Sequence, residues 1–567
     1  MRFGAPHWLA LALTSSVFLA AEGWLAGRVG PALDDGWIYL SFARAFGEGD
    51  WFSYPGAAGP AGAITAPLWS FVLAIGMAIG GANPITAKVL GVLVFVAMVA
   101  AVGRLARAAT GDPALARLAQ LATALTPRLA WASLSGMEAG LGVTLVAWGI
   151  ALHLERRDQS TRRWSVAALV LALAGWSRPE SFVFLWIAAL HRRRATALAI
   201  AGAMTATFPL FHLIVYGYPL PLPFYAKAIP GAPLAILRSG SMTGAARAAI
   251  VQIGQQCAAV IAMLGAGLPL VLPGLLRGWC RGLKRCDGVP FLVFAGAGFV
   301  AARGLLGMQA PTFQQGRYFV QLVPLFLVVG LHGFDRLRIS LTVAFAVVAM
   351  VACGFLVDPS QSAALAFDFI RREPMPSDLR LQLALCWVPF GIAVLLATVG
   401  LRWLPDSPTR RSVRLTPVLV VWLLIAAGFG AVRHGEGVRD TYAINVAMAE
   451  NVARLVPERE LVACHDLGAL GWFARRPLLD LAGLASSEVA FAPRDAKGRI
   501  DVVAILERLR PGWLCLTDEM LDKLNPDKRL PSGLLGWNEL EAARVTSHEN
   551  VTVLGDAYRL IRLTWAR

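Results

Sequence analysis

Apolar runs long enough to cross a bilayer recur from residue 8 to about residue 432, each closed by a short polar stretch. The first, 8–26, predicts a membrane helix kept as an uncleaved signal anchor, because only Arg2 precedes it and no clear cleavage site follows. Segments 66–82 and 87–102 predict a down-and-up pair, and from residue 195 paired apolar segments alternate regularly up to 416–430. The pattern predicts a polytopic α-helical membrane protein with about 12 to 14 spanning or half-spanning helices. Between 164 and 190 two readings stand: one kinked span, or two half-helices turning back at Ser177-Arg178-Pro179-Glu180. Residues 35–47 read as a short amphipathic helix in the interface, with Trp37, Tyr39 and Phe42 suited to headgroup depth.

From His434 the texture changes to that of a soluble α/β domain. Helices are predicted over 443–455 and 502–509, strands over 460–464, 477–481 and 513–516, and a closing hairpin from 545–554 and 557–564. The chain therefore divides into a transmembrane part, 1–433, and a C-terminal α/β domain, 434–567. No Gly-rich phosphate loop appears in the latter.

Composition agrees with the pattern. Hydrophobic residues make up 57% of the chain against 16% charged, and the mean hydropathy is +0.59. The net charge of +16 raises the possibility of nucleic acid, but its placement excludes that partner. Arginines cluster in short inter-helix stretches, 192–194, 277–285 and 402–414, as the positive-inside rule expects. Arg410, Arg411 and Arg414 precede the last span, which places the C-terminal domain outside the cytoplasm. The seven cysteines form no CxxC pair and no metal-ligand spacing; Cys464 and Cys515 are the two that could pair in an extracytoplasmic domain.

Against this apolar background a few charges stand out. Asp34 and Asp35 follow the first span at its outer face, where carboxylates are costly unless solvated, paired or used. The outer loop 28–65 that carries them also holds Tyr39 and Arg44, and Trp69 follows it. Glu138 ends the run Ser135-Gly136-Met137-Glu138, at a helix boundary. Arg178 and Glu180 interrupt an apolar run, either as a mutually paired kink or as the lining of a cavity. Tyr225 and Lys227 close a Pro-rich outer loop, and Arg317-Tyr318 opens another span from the outside; the two cations read equally as snorkelling anchors. His465-Asp466 has the look of an acid–base pair, but its place at a strand end favours a turn.

Taken in order, Asp34-Asp35-Gly-Trp-Ile-Tyr, Gly62-Ala-Ile-Thr-Ala-Pro-Leu-Trp69, Ser135-Gly-Met-Glu138, Ser177-Arg-Pro-Glu180, Pro223-Phe-Tyr-Ala-Lys227 and Arg317-Tyr318 resemble the bacterial GT-C glycosyltransferases that use polyprenyl-phosphate sugars. The nearest group in pattern is the terminal arabinofuranosyltransferases and the protein O-mannosyltransferase-like enzymes. Gly36 departs from the pattern, as does the absence of an acid before Gly62, which removes a candidate second carboxylate for a metal. The resemblance implies a plasma-membrane (inner-membrane) enzyme with a periplasmic C-terminal domain. It would move a sugar, arabinofuranose by the resemblance, from a polyprenyl-phosphate donor to an envelope glycan or protein acceptor. It assigns Asp34 as general base with Asp35 as helper, and Lys227, Arg317 and Arg178 to the donor phosphate. Tyr39, Arg44, Trp69, Glu138, Glu180, Tyr225 and Tyr318 would contact substrate. No cofactor and no metal ligand set is expected, with a divalent cation left open.

Two other classes stay open on the residues. A lipid-linked-sugar transporter or flippase requires midplane polar positions and favours an internal repeat, and no repeat is present. A non-catalytic envelope-assembly protein would keep the fold and lose the chemistry.

Overall fold

The structure, a computed structural model, describes residues 3–54, 61–156, 160–226, 232–264 except 239, 288–308, 316–336, 408–493, 500–518, 520, 522, 529–544 and 557–566. Helix α1, Ala5–Ala26, begins at Pro6 in its first turn and ends on Gly27 in the left-handed conformation, the expected punctuation of a helix. Asp34–Gly47 forms α2, with both acids in its first turn, and Pro67–Gly80 forms α3. Next come α4, Pro84–Thr110, capped by Asn83, and α5, Pro113–Leu125, capped by Asp112. Helices α6, Pro127–Leu134, and α7, Ala139–Arg156, are bent by 117° across the Ser135–Glu138 break. The apolar run 164–190 breaks at Arg178 into α8, Thr161–Ser177, a 3-10 turn, Pro179–Ser181, and α9, Phe182–Arg192. Proline at 179 disfavours helical geometry at Arg178, whose backbone is extended.

Helix α10 covers Ala195–Tyr216, and further helices cover Met242–Leu264, Val289–Leu305, Val323–Arg336 and Pro408–Thr441. Among the described residues α1, α4 and α10 are each long and apolar enough to cross a membrane, and the bent pair α6–α7 adds a fourth if it counts as one span. The expected spans between 337 and 407, and Lys227, lie outside the described residues.

The helix Pro408–Thr441 runs through residue 434 without a break into Tyr442–Val446 and Ala447–Leu455. Beyond it lies a five-stranded sheet: β1, Val462–Cys464; β2, Leu478–Asp480; β3, Trp513–Thr517; β4, Leu534–Arg544; and β5, Ala557–Trp565. Strand order is β2-β1-β3-β5-β4, parallel between the first three and antiparallel beyond. Strand β5 lies between β3 and β4; the predicted hairpin strand 545–554 lies outside the described residues. Cys464 and Cys515 stand opposite each other in register as buried free thiols.

The first three strands are buried on both faces, which is why they read as unbroken apolar runs. One face (Ala463, Leu479, Leu514, Leu516) packs on Val502, Ile505 and Leu506 of the helix Val502–Leu509. The other (Val462, Cys464, Cys515) is continuous with the core of the membrane part.

Helix α2 lies at that junction, and here the expectation of an interfacial helix needs correction. Trp37, Tyr39 and Phe42 are buried in protein rather than set among headgroups. Trp37 packs edge-on against Tyr442 and Phe473, and Phe42 against Tyr54. The C-terminal domain covers Trp37, and Tyr54 and Thr65 of the same outer loop meet Phe42 and Tyr39, on the face that the sequence pattern assigned to lipid.

Candidate active site

The segment Gly468–Ala474 is a helical turn lying along α2, and hydrogen bonds from Asp34 and Arg44 seat its two ends. Both carboxylate oxygens of Asp34 accept backbone N–H bonds at its start, Oδ2 from Gly468 at 2.7 Å and Oδ1 from Ala469 at 2.8 Å. Arg44 donates to the carbonyls at its end, Nη1 to Trp472 at 2.8 Å and Nη2 to Gly471 at 3.0 Å. An acid at the N-terminus and a guanidinium at the C-terminus complement the peptide dipoles of the turn. Tyr54 Oη adds a bond to the carbonyl of Leu467 at 2.6 Å. The approach is close enough that a Cβ on Gly468 would lie 1.9 Å from the Asp34 carbonyl oxygen. Removal from water, and next the charge of Asp466, push the Asp34 carboxyl up to about 8 against the pull of its two N–H bonds. Asp466 is held by His465 Nδ1 at 2.9 Å and Asn445 Nδ2 at 3.2 Å.

Asp35, the next residue, points elsewhere. Its Oδ2 meets Arg317 Nη1 at 2.5 Å, and its side chain is 37% exposed against 7% for Arg317. Behind this pair lies a layer of buried charge. Arg178 bridges Glu138 (Nη1 to Oε1, 2.8 Å) and Glu180 (Nη2 to Oε1, 2.7 Å), and Arg303 lies 3.9 Å from the same Glu180 oxygen. The ring of Tyr318 is shared by three guanidiniums, with Arg317 at 5.0 Å, Arg178 at 5.4 Å and Arg303 at 5.5 Å from its centroid. Glu138 Oε2 and Arg317 Nε are buried without a hydrogen-bond partner among the described residues. Burial, then the charge of Glu138, hold the Tyr39 hydroxyl well above its ordinary value; it bonds Thr65 Oγ1 at 3.0 Å.

These residues converge because each sits where a helix stops. Glu138 follows the α6–α7 break, Arg178 and Glu180 occupy the α8–α9 break, Asp35 opens α2, and Arg317 lies in the turn ahead of Val323–Arg336. Helix ends leave backbone groups without internal partners and so favour a polar layer between apolar segments. Gly136 supplies the positive φ of 83° that the α6–α7 turn requires, and its carbonyl takes the Trp69 indole N–H at 3.1 Å. Gly36 is needed as well: a Cβ there would lie 2.6 Å from Pro31 Cβ.

Of the residues singled out in the sequence, Asp35, Arg178, Arg317, Tyr318, Glu138 and Glu180 form this cluster, with Tyr39 and Trp69 beside it. Asp34 and Arg44 instead engage the Gly468–Ala474 turn. Tyr225 lies apart, its ring 5.0 Å from Phe491 and 6.2 Å from Tyr218. Sequence reasoning missed Arg303, which donates from Nε to Gln256 Oε1 at 3.1 Å. An arginine in the last turn of the apolar helix Val289–Leu305 was a signal of the same kind as Arg178. Among the described residues no three histidines, cysteines or carboxylates converge closely enough to hold a metal ion.

Comparison with known proteins places the fold. Across 99% of this chain and 98% of the other, the structure superimposes on ArnT from Cupriavidus metallidurans bound to undecaprenyl phosphate, with a TM-score of 0.57 at 15% identity. The apo form of the same protein gives a TM-score of 0.55 at 16% identity over 98% and 97% of the two chains. An oligosaccharyltransferase from Archaeoglobus fulgidus, in complex with zinc and sulfate, gives 0.49 at 13% identity over 90% of this chain and 68% of that one. Residues 432–561 match a domain family of unknown function, DUF8728. No curated protein matches the chain. The chain is a polytopic helical membrane protein of GT-C-like fold with a small C-terminal sheet domain.

Proposed function

We propose that this protein is a membrane glycosyltransferase moving a sugar from a polyprenyl-phosphate donor to a hydroxyl of an extracytoplasmic envelope acceptor. The observation that carries the proposal is the pairing of a water-accessible carboxylate, Asp35, with a buried cationic layer, Arg317, Arg178 and Arg303, around one tyrosine ring. Its fold is shared by a protein whose structure was solved with undecaprenyl phosphate bound.

Sugar transfer from a lipid phosphate needs a base for the acceptor hydroxyl and cations for the departing phosphate. The acceptor oxygen bonds to the anomeric carbon as that carbon's bond to the phosphate oxygen breaks. The proton passes to the base, and the electron pair leaves with the polyprenyl phosphate. Asp35 suits the base better than Asp34, whose two oxygens already accept the Gly468 and Ala469 N–H groups. Arg317 in this state neutralises Asp35. A donor phosphate competes for the same guanidinium, whose planar fork suits phosphate oxygens, and so releases Asp35 as a stronger base when donor is present. Glu138 Oε2 and Arg317 Nε, buried and without a partner among the described residues, are capacity for sugar hydroxyls and phosphate oxygens. The sugar put forward is arabinofuranose, on the sequence resemblance; Lys227, Tyr225 and a periplasmic C-terminal domain belong to the same proposal.

The test is transfer of radiolabelled sugar from polyprenyl-phosphate donors to membrane extract by the protein in nanodiscs. Wild-type transfer that Asp35→Asn lowers by about 10²-fold or more supports the proposal. Movement of label across vesicles without donor consumption would establish the transporter reading instead.

A further inference from the structure

Beside the candidate site lies a second set of buried charges, which the proposed chemistry does not use. Glu22 near the end of α1, Lys88 in the second turn of α4 and His434 in the helix Pro408–Thr441 are 0%, 3% and 1% exposed. Lys88 Nζ and His434 Nε2 both meet Glu22 Oε1 at 2.6 Å. An ionised carboxylate only accepts hydrogen bonds, so His434 is the donor from Nε2.

Glu22 and Lys88 each make a further bond to backbone, and the backbone they reach is that of the site, while His434 Nδ1 is buried without a partner among the described residues. Glu22 Oε2 accepts the Gly30 N–H at 3.2 Å, and Gly30 opens the short run that leads to Asp35. Lys88 Nζ donates to the Leu134 carbonyl at 2.6 Å, the last residue of α6 before the turn that ends at Glu138. The two segments abut one another: a Cβ on Gly36 would lie 2.6 Å from Pro31 Cβ and 3.3 Å from the Ser135 carbonyl oxygen.

Stability alone does not account for such an arrangement, since well-packed apolar groups of similar volume commonly replace a buried ion pair at no loss. What apolar groups cannot do is grip a backbone N–H and a backbone carbonyl at once. We infer that Glu22, Lys88 and His434 are positioning residues: one ion triad holds the Asp35 segment and the Glu138 turn in fixed register. This rests on the proposed glycosyltransfer for its kinetic consequence only.

The experiment compares wild type with a triple variant, Glu22→Met/Lys88→Met/His434→Phe, which keeps volume and leaves no lone buried charge. Hydrogen exchange is read on peptides spanning 28–36 and 133–139, and donor KM and kcat are measured in parallel. The triple variant should fold with unchanged exchange elsewhere, exchange at least about tenfold faster in those two peptides, and lose about 30-fold or more in kcat with donor KM within about threefold. His434→Gln, whose amide N–H can replace the imidazole donor, should keep wild-type kcat. Unchanged exchange in both peptides overturns the inference whatever the transfer assay gives, and so does wild-type kcat in the folded triple variant. A kcat loss that only tracks loss of folded protein also overturns it. A wild-type protein inactive with every donor tried counts against the glycosyltransferase proposal alone, because the exchange measurement stands without it.

Discussion

Replacing Asp34 and Asp35 by asparagine, one at a time, should give opposite signatures. Asp34 accepts two backbone N–H groups, at 2.7 and 2.8 Å, at the start of the Gly468–Ala474 turn. In Asp34→Asn the side-chain amide retains one acceptor oxygen and turns an N–H₂ donor toward the other backbone donor. One hydrogen bond is lost and one buried N–H left unsatisfied, a cost of about 1–3 kcal/mol. Alanine leaves both N–H groups unpaired and roughly doubles that figure to about 2–6 kcal/mol. The loss falls on docking of the C-terminal domain, so limited proteolysis near residue 468 and the melting temperature report it. Asp35→Asn keeps a hydrogen-bond acceptor but leaves the buried Arg317 without its counter-charge, at about 1–3 kcal/mol of stability that does not fall on domain docking. Transfer, however, should fall about 10²- to 10⁴-fold with loss of the base. Purified variants in nanodiscs would be compared for melting, proteolysis and kcat. An Asp34→Asn protein as stable as wild type yet inactive, beside an active Asp35→Asn protein, refutes the division of roles and restores Asp34 as the base.

Three further outcomes follow from the geometry. Gly468→Ala places a Cβ 1.9 Å from the Asp34 carbonyl oxygen, so it should loosen the domain junction as Asp34→Ala does, seen as faster proteolysis without a change in helix content. Arg303→Met strips a cation from a buried network and leaves Gln256 Oε1 unpaired while Glu180 keeps Arg178; it should lower stability by about 1–3 kcal/mol and raise donor KM, both read on purified protein. Asp34, raised to about 8 by loss of water and by Asp466, adds stability that is full below the ordinary carboxylate range and is lost as pH rises through 8. The melting temperature of wild type minus that of Asp34→Asn should therefore shrink between about pH 4 and 8 and level off above that, and a constant difference across this range would count against that shift.

Much of the architecture was legible in one dimension. Apolar run length identifies membrane helices whatever the tertiary packing, because the bilayer demands long segments with internally bonded backbone. Charges set against that background identified Asp35, Glu138, Arg178, Glu180 and Arg317, and Pro179 marked the break at Arg178. Local pattern also located β1, β2, β3 and the helix Val502–Leu509. It failed at β4, where mostly exposed residues leave little apolar alternation to read, and at Trp37, Tyr39 and Phe42. Those three rings carry an interfacial signature, yet Trp37 is covered by Tyr442, Trp472 and Phe473 from about 400 residues away, and Phe42 and Tyr39 turn inward onto Tyr54 and Thr65 of their own loop. The two acids show the limit most clearly. Asp34 and Asp35 are chemically identical neighbours, and nothing near them in sequence distinguishes a docking carboxylate from one that meets Arg317. That assignment came from Gly468 and Ala469 at one and Arg317 at the other, hundreds of residues downstream. A carboxylate's role is set by which donors and how much water surround it, and those surroundings exist only once the chain has folded.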